Sequence, residues 1–355
     1  MASESNTTYH KPQVAVLGAG TFGTAIANLI SENESVYLYS RNEDSVEKIN
    51  STGYNHGQKM SSKVIATSDL EMVIENSAVL LPMIPSSNCR AFFKEIAPFL
   101  KPNHTIIHGT KGFDISKANA DEDDNELLLD KKLVNTISQV IHEETIVLKI
   151  GVIAGPNLSK EIADGQPAAT VIASEFDAVI NEGMRLLKSQ RFQVFKSYDV
   201  VGVETAGSLK NIMAIGSGIL YGLDYGDNAR AMLISRGLNE IIRLGTKLGG
   251  DAKTYLGVAG VGDLVATCSS KLSRNFTIGY WLAKGKPLQD ILNEMTEVAE
   301  GIKTVMIAMA LANNYNIKMP ITSRIFEVLF HNLPVEKGIA ELMEYRNLLD
   351  VDFIN

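Results

Sequence analysis

The sequence predicts an α/β fold: a Rossmann-like, doubly wound sheet domain followed by an all-α domain. Three observations carry that expectation. Short β-rich runs alternate with helical segments from Val14 to about Ser197, the pattern of a parallel sheet with crossover helices. A glycine-rich turn, GAGTFG from Gly18 to Gly23, follows the first of these runs directly. After about Val201 the texture changes to long helical periodicities rich in Ala, Leu, Ile, Met and Gly, with no convincing strand pattern.

The expected strands, in order, are Val14 to Leu17, Val36 to Tyr39, Val79 to Ile84, Thr105 to His108, Leu148 to Ala154, Ala169 to Ala173 and Gln193 to Lys196. Each is a short run of β-branched and aliphatic residues bounded by turn-forming residues. Helical spacing begins at Thr24 to Ile30 and dominates the second half, for example over Leu209 to Leu220 and Ala231 to Leu248. One segment breaks the alternation: Asp114 to Lys132, containing DEDDNELLLDKK, is charged and reads as a solvated surface insertion. No fixed-period repeat or low-complexity tract is visible.

The chain has 355 residues, too many for one typical core and suited to two, because domains commonly hold about 100–200 residues. Hydrophobic residues make up 45% and charged residues 21%, as in ordinary globular proteins. A formal net charge of -8 argues against a nucleic-acid binder, whose footprint is a basic face, and requires that an anionic substrate meet locally placed cations. Cys89 and Cys268 are the only cysteines, so neither a disulfide framework nor a zinc site of the usual spacing is expected, and a reducing cytoplasm fits. The polar opening MASESNTTYHKP lacks an apolar signal core, and no apolar run reaches the length of a membrane span.

Gly18, Gly20 and Gly23 are spaced as GxGxxG between a strand and a helix, the context in which that motif signals a bound dinucleotide. Gly18 permits the tight turn, Gly20 lets the backbone approach a pyrophosphate, and Gly23 lets the helix pack on the strand with its N-terminus toward the phosphates. An acidic residue expected at the end of the second strand, to hold the ribose of NAD, is absent: that position reads Tyr39-Ser40-Arg41. A hydroxyl beside a guanidinium would accept a 2′-phosphate, which permits NADP and leaves NAD open. Residues 1–200 are thus assigned to NAD(P) binding and 201–355 to substrate binding and catalysis.

Reduction of a carbonyl needs a proton donor beside the hydride path. None of the six histidines sits in a convincing motif, so a lysine whose pKa is lowered by burial or a neighbouring cation has to be considered. The segment DVVGVETAGSLKNIMAIGSGILYGLDYGDNARAMLISRGLNEIIRLG, from Asp199 to Gly245, closely resembles the NAD(P)-dependent glycerol-3-phosphate dehydrogenases. GAGTFG, TKG at Thr110 to Gly112, AGPNLSKEIADGQPAA from Ala154 to Ala169, GVAGVGDLVATCSSKLSRNFTIG from Gly257 to Gly279 and VAEGIKT from Val298 to Thr304 extend the likeness over nearly the whole chain, in family order.

The resemblance implies reversible reduction of dihydroxyacetone phosphate to sn-glycerol 3-phosphate, which supplies phospholipid synthesis, by a soluble homodimer of the cytoplasm. It implies that Lys210 is the acid/base residue. It also places Lys111, Gly155, Asn157, Asn211, Asp263, Thr267, Ser273, Arg274 and Asn275 around substrate, with Asp263 orienting the lysine and the Arg274-Asn275 pair holding the phosphate. Thr21, Phe22, Arg41, Ser159, Val298 and Glu300, with Lys111 and Arg274, join the three glycines around the cofactor, and no metal is implied. Taken without the family, Lys210 reads as a surface lysine, Lys111 as a loop lysine, Asp263 and Ser273 as helix caps and Gly155-Pro156 as a turn. Two other functions fit the same outline: a two-domain NAD(P)-dependent hydroxy-acid dehydrogenase, or a non-catalytic dinucleotide-binding protein. The chain departs from the family at Tyr54 to Met60, YNHGQKM, and in placing Pro82 inside the expected third strand.

Overall fold

The computed structural model describes residues 13–115, 131–295, 300–345 and 349–350. The first half runs β1 (Val14–Leu17), α1 (Thr21–Ile30), β2 (Val36–Tyr39), α2 (Glu43–Thr52), the short strands β3 (Tyr54–Asn55) and β4 (Gln58–Lys59), β5 (Val64–Thr67) and α3 (Leu70–Asn76). It continues with β6 (Val79–Pro82), α4 (Ser86–Ile96), β7 (Thr105–His108), α5 (Ile137–Glu144), β8 (Lys149–Ala154), α6 (Ser159–Ala163), β9 (Ala168–Ala173), α7 (Asp177–Leu187) and β10 (Phe192–Ser197). Eight strands form one sheet in the order β10-β9-β8-β7-β6-β1-β2-β5, while β3 and β4 make a separate hairpin.

The sheet is covered on both faces, and β1 shows why. Its side chains alternate: Val14 and Val16 join a core built with Ile26, Leu29 and Ile30 of α1, whereas Ala15 and Leu17 join one built with Phe93 and Ile96 of α4 and Ile141 of α5. All four β1 residues are fully buried, as expected of a central strand in a doubly wound sheet.

The alternating pattern predicts a parallel sheet, and the structure departs from it at one pairing. β9 pairs antiparallel with β8, through Val152 and Ala173, Ile153 and Ile172, and Ala154 and Val171. The connection between them carries only the five-residue α6. A helix that short rises only about 7.5 Å, and the strand that follows it runs back beside β8.

Further differences are local. The edge strand β5 and the β3–β4 hairpin were not expected; β5 is partly open to solvent, with Ile65 39% exposed, and its VIAT run is short. The strand expected over Val79 to Ile84 ends at Pro82, paired with Leu17, where the absent N–H forfeits little of the ladder. Asp114, assigned to a solvated insertion, is instead 2% exposed, held by Arg90 and paired through its backbone with Asn135; residues 116–130 of that insertion lie outside the described residues.

The second half is helical throughout its described residues. It comprises α8 (Val200–Gly222), α9 (Asp227–Lys247), α10 (Asp263–Ser269), α11 (Arg274–Ala283), α12 (Leu288–Glu294), α13 (Glu300–Tyr315), α14 (Pro320–Phe330) and α15 (Val335–Glu344). Asp199 caps α8 by accepting from Gly202 N. From there α8 is buried on nearly every side, the mark of a helix at the centre of a bundle. A methyl group on Gly279 would lie 1.9 Å from the Ile215 carbonyl oxygen and one on Gly218 2.0 Å from that of Phe276, so α8 and α11 meet backbone to backbone. No described helix is long and apolar enough to cross a membrane.

Candidate active site

The cleft between sheet and helices, about 670 Å³ in volume, begins at the turn between β1 and α1. Gly18 has φ +118, and a side chain there would strike the Met83 carbonyl oxygen at 2.6 Å. A Cβ on Gly23 would fall 1.9 Å from Gly18 O, so only glycine lets α1 close onto the strand. Around Gly20, by contrast, nothing lies within 4 Å, and Gly20 caps α1 with no side chain of its own. That open, backbone-lined helix N-terminus fits the pyrophosphate of a dinucleotide.

The YNHGQKM segment, where the chain departs from the family it resembles, braces this turn. Asn55 donates to Ala19 O at 2.9 Å and Thr24 Oγ1 at 2.8 Å, His56 Nε2 lies 3.1 Å from Ala19 O, and Gln58 donates to Thr21 O at 3.1 Å. These contacts span more than thirty residues of sequence, and no motif announces them.

The catalytic end is assembled from three places. Lys210, one turn past Gly207 on α8, is 5% exposed. Its Nζ donates to Asp263 Oδ1 at 2.5 Å and to Thr267 Oγ1 at 2.6 Å, leaving the third proton for a ligand. Lys111, in the loop after β7, lays its stem over Gly207 and donates to the other Asp263 oxygen at 2.8 Å and to Gly155 O at 3.4 Å. Asp263 is delivered by a π-helical turn, Val258–Gly262, that runs into α10. Such turns recur at functional sites. Asp263 is the first residue of α10 rather than its cap, and its carboxylate is committed to the two lysines.

The electrostatics follow from burial. Desolvation is the largest influence on Lys210 and lowers its pKa; Asp263 opposes it, Lys111 adds to it, and the result is about 7 against an ordinary 10.5. For Asp263, burial pushes upward, but the two ammonium groups outweigh it and hold the carboxyl below its usual range. Two cations sharing one carboxylate leave local positive charge for an anionic substrate, in a chain whose overall charge is -8.

On the opposite wall, Ser273 is indeed a helix cap, accepting from Phe276 N, and starts α11 so that Arg274 and Asn275 reach the cleft. Asn275 Oδ1 accepts from Gly301 N at 3.1 Å, which turns its amide donor to the cleft. Asn157 donates to Thr170 Oγ1 at 2.8 Å, while its buried Oδ1 has no partner among the described residues. Gly155 sits behind it with φ +157, its Cβ position 2.9 Å from Ala169 O. Glu300 accepts from Ser86 N at 2.8 Å and Ser86 Oγ at 2.6 Å, clasping the first turns of α13 and α4 together across the cleft. That role for Ser86 was not foreseen, since the two residues are far apart in sequence.

Of the residues singled out from sequence, Gly20, Thr21, Phe22, Gly23, Lys111, Asn157, Ser159, Lys210, Asn211, Thr267, Ser273, Arg274, Asn275 and Glu300 line this one cleft. Gly18, Gly155 and Asp263 are outside that lining but touch it: Gly18 meets Gly23, Gly155 accepts from Lys111, and Asp263 accepts from both lysines. Arg41 is exposed at the end of β2, outside the lining, and Ser40 Oγ there accepts from Asn42 N at 3.3 Å. Val298 lies outside the described residues. A second cavity of about 590 Å³, between α8, α9, α14 and α15, is lined mainly by apolar side chains and contains none of these residues.

Known proteins resemble this chain over both of its halves. Residues 13–179 match the model of the NAD-dependent glycerol-3-phosphate dehydrogenase N-terminus, and residues 199–340 that of its C-terminus. A glycerol-3-phosphate dehydrogenase (NAD(P)+) of Teredinibacter turnerae is 39% identical over 345 residues, covering 96% of this chain and 97% of the relative. One from Staphylococcus epidermidis is 37% identical over 337 residues, covering 94% and 98%. The crystal structure of glycerol-3-phosphate dehydrogenase from Coxiella burnetii superposes with a TM-score of 0.84 at 32% identity, over 94% of this chain and 99% of that one. With both halves matched and the relatives covered almost end to end, the chain belongs to the NAD-dependent glycerol-3-phosphate dehydrogenase family.

Proposed function

We propose that the chain interconverts dihydroxyacetone phosphate and sn-glycerol 3-phosphate, with the dinucleotide along Gly18–Gly23 and the substrate between Lys210 and Arg274. The observation that carries this reading is a buried lysine whose Nζ is held by Asp263 and Thr267 beside Lys111, where burial lowers its pKa to about 7, near the value at which a group gives up and regains a proton at neutrality. When bound, NADH or NADPH supplies the hydride to the ketone carbon. Lys210 gives its third proton to the ketone oxygen as that carbon is reduced, and the neutral amine is reprotonated from water. In the reverse direction the amine removes the hydroxyl proton. Asp263 and Thr267 hold the ammonium in line, and burial, assisted by Lys111, keeps its pKa low.

The phosphate falls to Arg274, whose guanidinium matches its oxygens as a fork, and to the amide of Asn275. The unpartnered Oδ1 of Asn157 suits a substrate hydroxyl. Residues 1–200 would then act as the cofactor domain and 201–355 as the substrate domain, with Lys111 reaching from the first into the second. A homodimer, a cytoplasmic location and a role in supplying glycerol phosphate for phospholipid synthesis complete the reading.

The test is the loss of absorbance of NADH and, separately, NADPH when dihydroxyacetone phosphate is added to the purified protein, with unphosphorylated dihydroxyacetone as control. Oxidation that depends on the phosphate supports the proposal, and the ratio of the two cofactors measures what Ser40 and Arg41 contribute. Oxidation of neither cofactor by folded protein would overturn it.

A further inference from the structure

At the buried end of β7 lies an ionisable pair that the proposed proton transfer does not use. His108, the last residue of β7, is fully buried and places Nε2 3.2 Å from Glu204 Oε1 and 3.1 Å from Ser138 Oγ. The same Glu204 oxygen accepts from Ser138 N at 2.9 Å. Nε2 thus faces the Glu204 carboxylate and the Ser138 hydroxyl together. His108 Nδ1 and Glu204 Oε2 are buried without partners among the described residues. A buried carboxylate and imidazole left half-bonded do little for stability, because the cost of desolvation is incompletely offset. Their place in the fold accounts for them better.

His108 stands three residues before Lys111. Glu204 stands six residues before Lys210 on α8, a rise of about 9 Å. Ser138 belongs to α5. The pair therefore joins the two elements that carry the lysines, and α5 locks the joint. The far end of the Lys111 loop is held as well: Asp114 accepts from Arg90 at 2.8 Å and pairs with the Asn135 backbone. Arg90 also bonds Glu143 and Glu144 at the end of α5. Between these two anchors, Thr110 donates to Ile84 O at 2.8 Å.

We infer that Glu204 and His108 are positioning residues that tie α8 to the end of β7 and so set how closely the Lys111 and Lys210 ammonium groups face each other across Asp263. The inference rests on Lys210 as the proton donor. Lys210 faces Asp263 and Lys111, with Cys268 behind it. If the tie is cut, Lys111 drifts, its repulsion weakens, and Asp263 is left less neutralised toward Lys210. Both changes favour the ammonium form. Because reduction needs that form, the limb on which kcat falls with rising pH moves upward, and the loss of the second cation raises KM for the phosphorylated substrate.

The experiment measures kcat and KM for dihydroxyacetone phosphate across the neutral pH range, with NAD(P)H affinity and melting temperature, for wild type, Glu204→Ala, Glu204→Gln and His108→Gln. Glu204→Ala is expected to move the alkaline limb upward by about half a pH unit or more and to raise KM several-fold, with cofactor affinity unchanged. Glu204→Gln, which keeps an oxygen acceptor for Ser138 N, recovers most of the KM change. His108→Gln reads the same joint from the β7 side should Glu204→Ala fail to fold. A wild-type profile without a limb near neutrality overturns the proton-donor reading and this inference with it. A wild-type limb that the variants leave in place, with only the melting temperature lowered, overturns the positioning role alone.

Discussion

Lys210 illustrates how little a residue's type says about its chemistry until its surroundings are known. On the surface its ammonium would stay protonated to about pH 10.5; burial, opposed by Asp263 and assisted by Lys111, brings it to about 7. Replacing it with Ala should leave cofactor affinity near normal while lowering kcat by about 10²- to 10⁴-fold, the usual worth of a positioned acid/base group. Steady-state kinetics beside a cofactor titration check this, and near-normal turnover would remove Lys210 from the mechanism. For Arg274 the proposed role is in binding instead. Arg274→Ala should chiefly raise KM for dihydroxyacetone phosphate by removing a charge-assisted contact, and an unchanged KM would place the phosphate elsewhere.

At the scale of elements, the cleft depends on where helices and strands touch without side chains between them. α8 carries Lys210 and α11 carries Arg274 and Asn275, and the two are held in backbone contact by Gly218 and Gly279. Gly279→Ala must push α11 from α8, because its methyl would fall 1.9 Å from Ile215 O. A cost of about 1–3 kcal/mol is expected for such overpacking, together with a raised KM as the phosphate-binding wall moves from the lysine wall. Denaturant melts and kinetics on the same preparation separate the two effects; an unchanged stability would mean that the helices yield more easily than their contact suggests. β1 and α1 show the same dependence through Gly18 and Gly23.

For the molecule as a whole, the active site sets a stability gradient with pH. Lys210 has its folded pKa depressed to about 7 from 10.5, so between those values the unfolded chain holds a proton that the folded chain has lost. Stability from this group therefore rises with pH across that window. In Lys210→Met this pH-dependent contribution vanishes, so the stability of wild type relative to the variant should rise with pH from about 7 to 10.5. Melting temperatures of the two proteins across the window test this. A constant difference would mean that Lys210 is not depressed in the fold. A buried lysine kept ready to give up its proton at neutral pH costs the fold stability that returns only as the solution becomes alkaline.

The sequence by itself determined the fold class, the positions of the central strands along the chain, the dinucleotide turn and the family, because each rests on local pattern. Period-two burial, a strand leading into GxGxxG and long helical periodicities are written within short windows of chain. Likeness to the family also named most of the cleft-lining residues. The tertiary structure alone decided the direction of β9, the pairing of the edge strand β5, and the burial of Asp114 against Arg90. It also placed the hairpin against the glycine turn, Ser86 against Glu300, and His108 against Glu204. The reason is common to all of these: hydrogen bonds and ion pairs between residues far apart in sequence leave no periodic trace, and the value of a buried charge depends on what packing brings beside it.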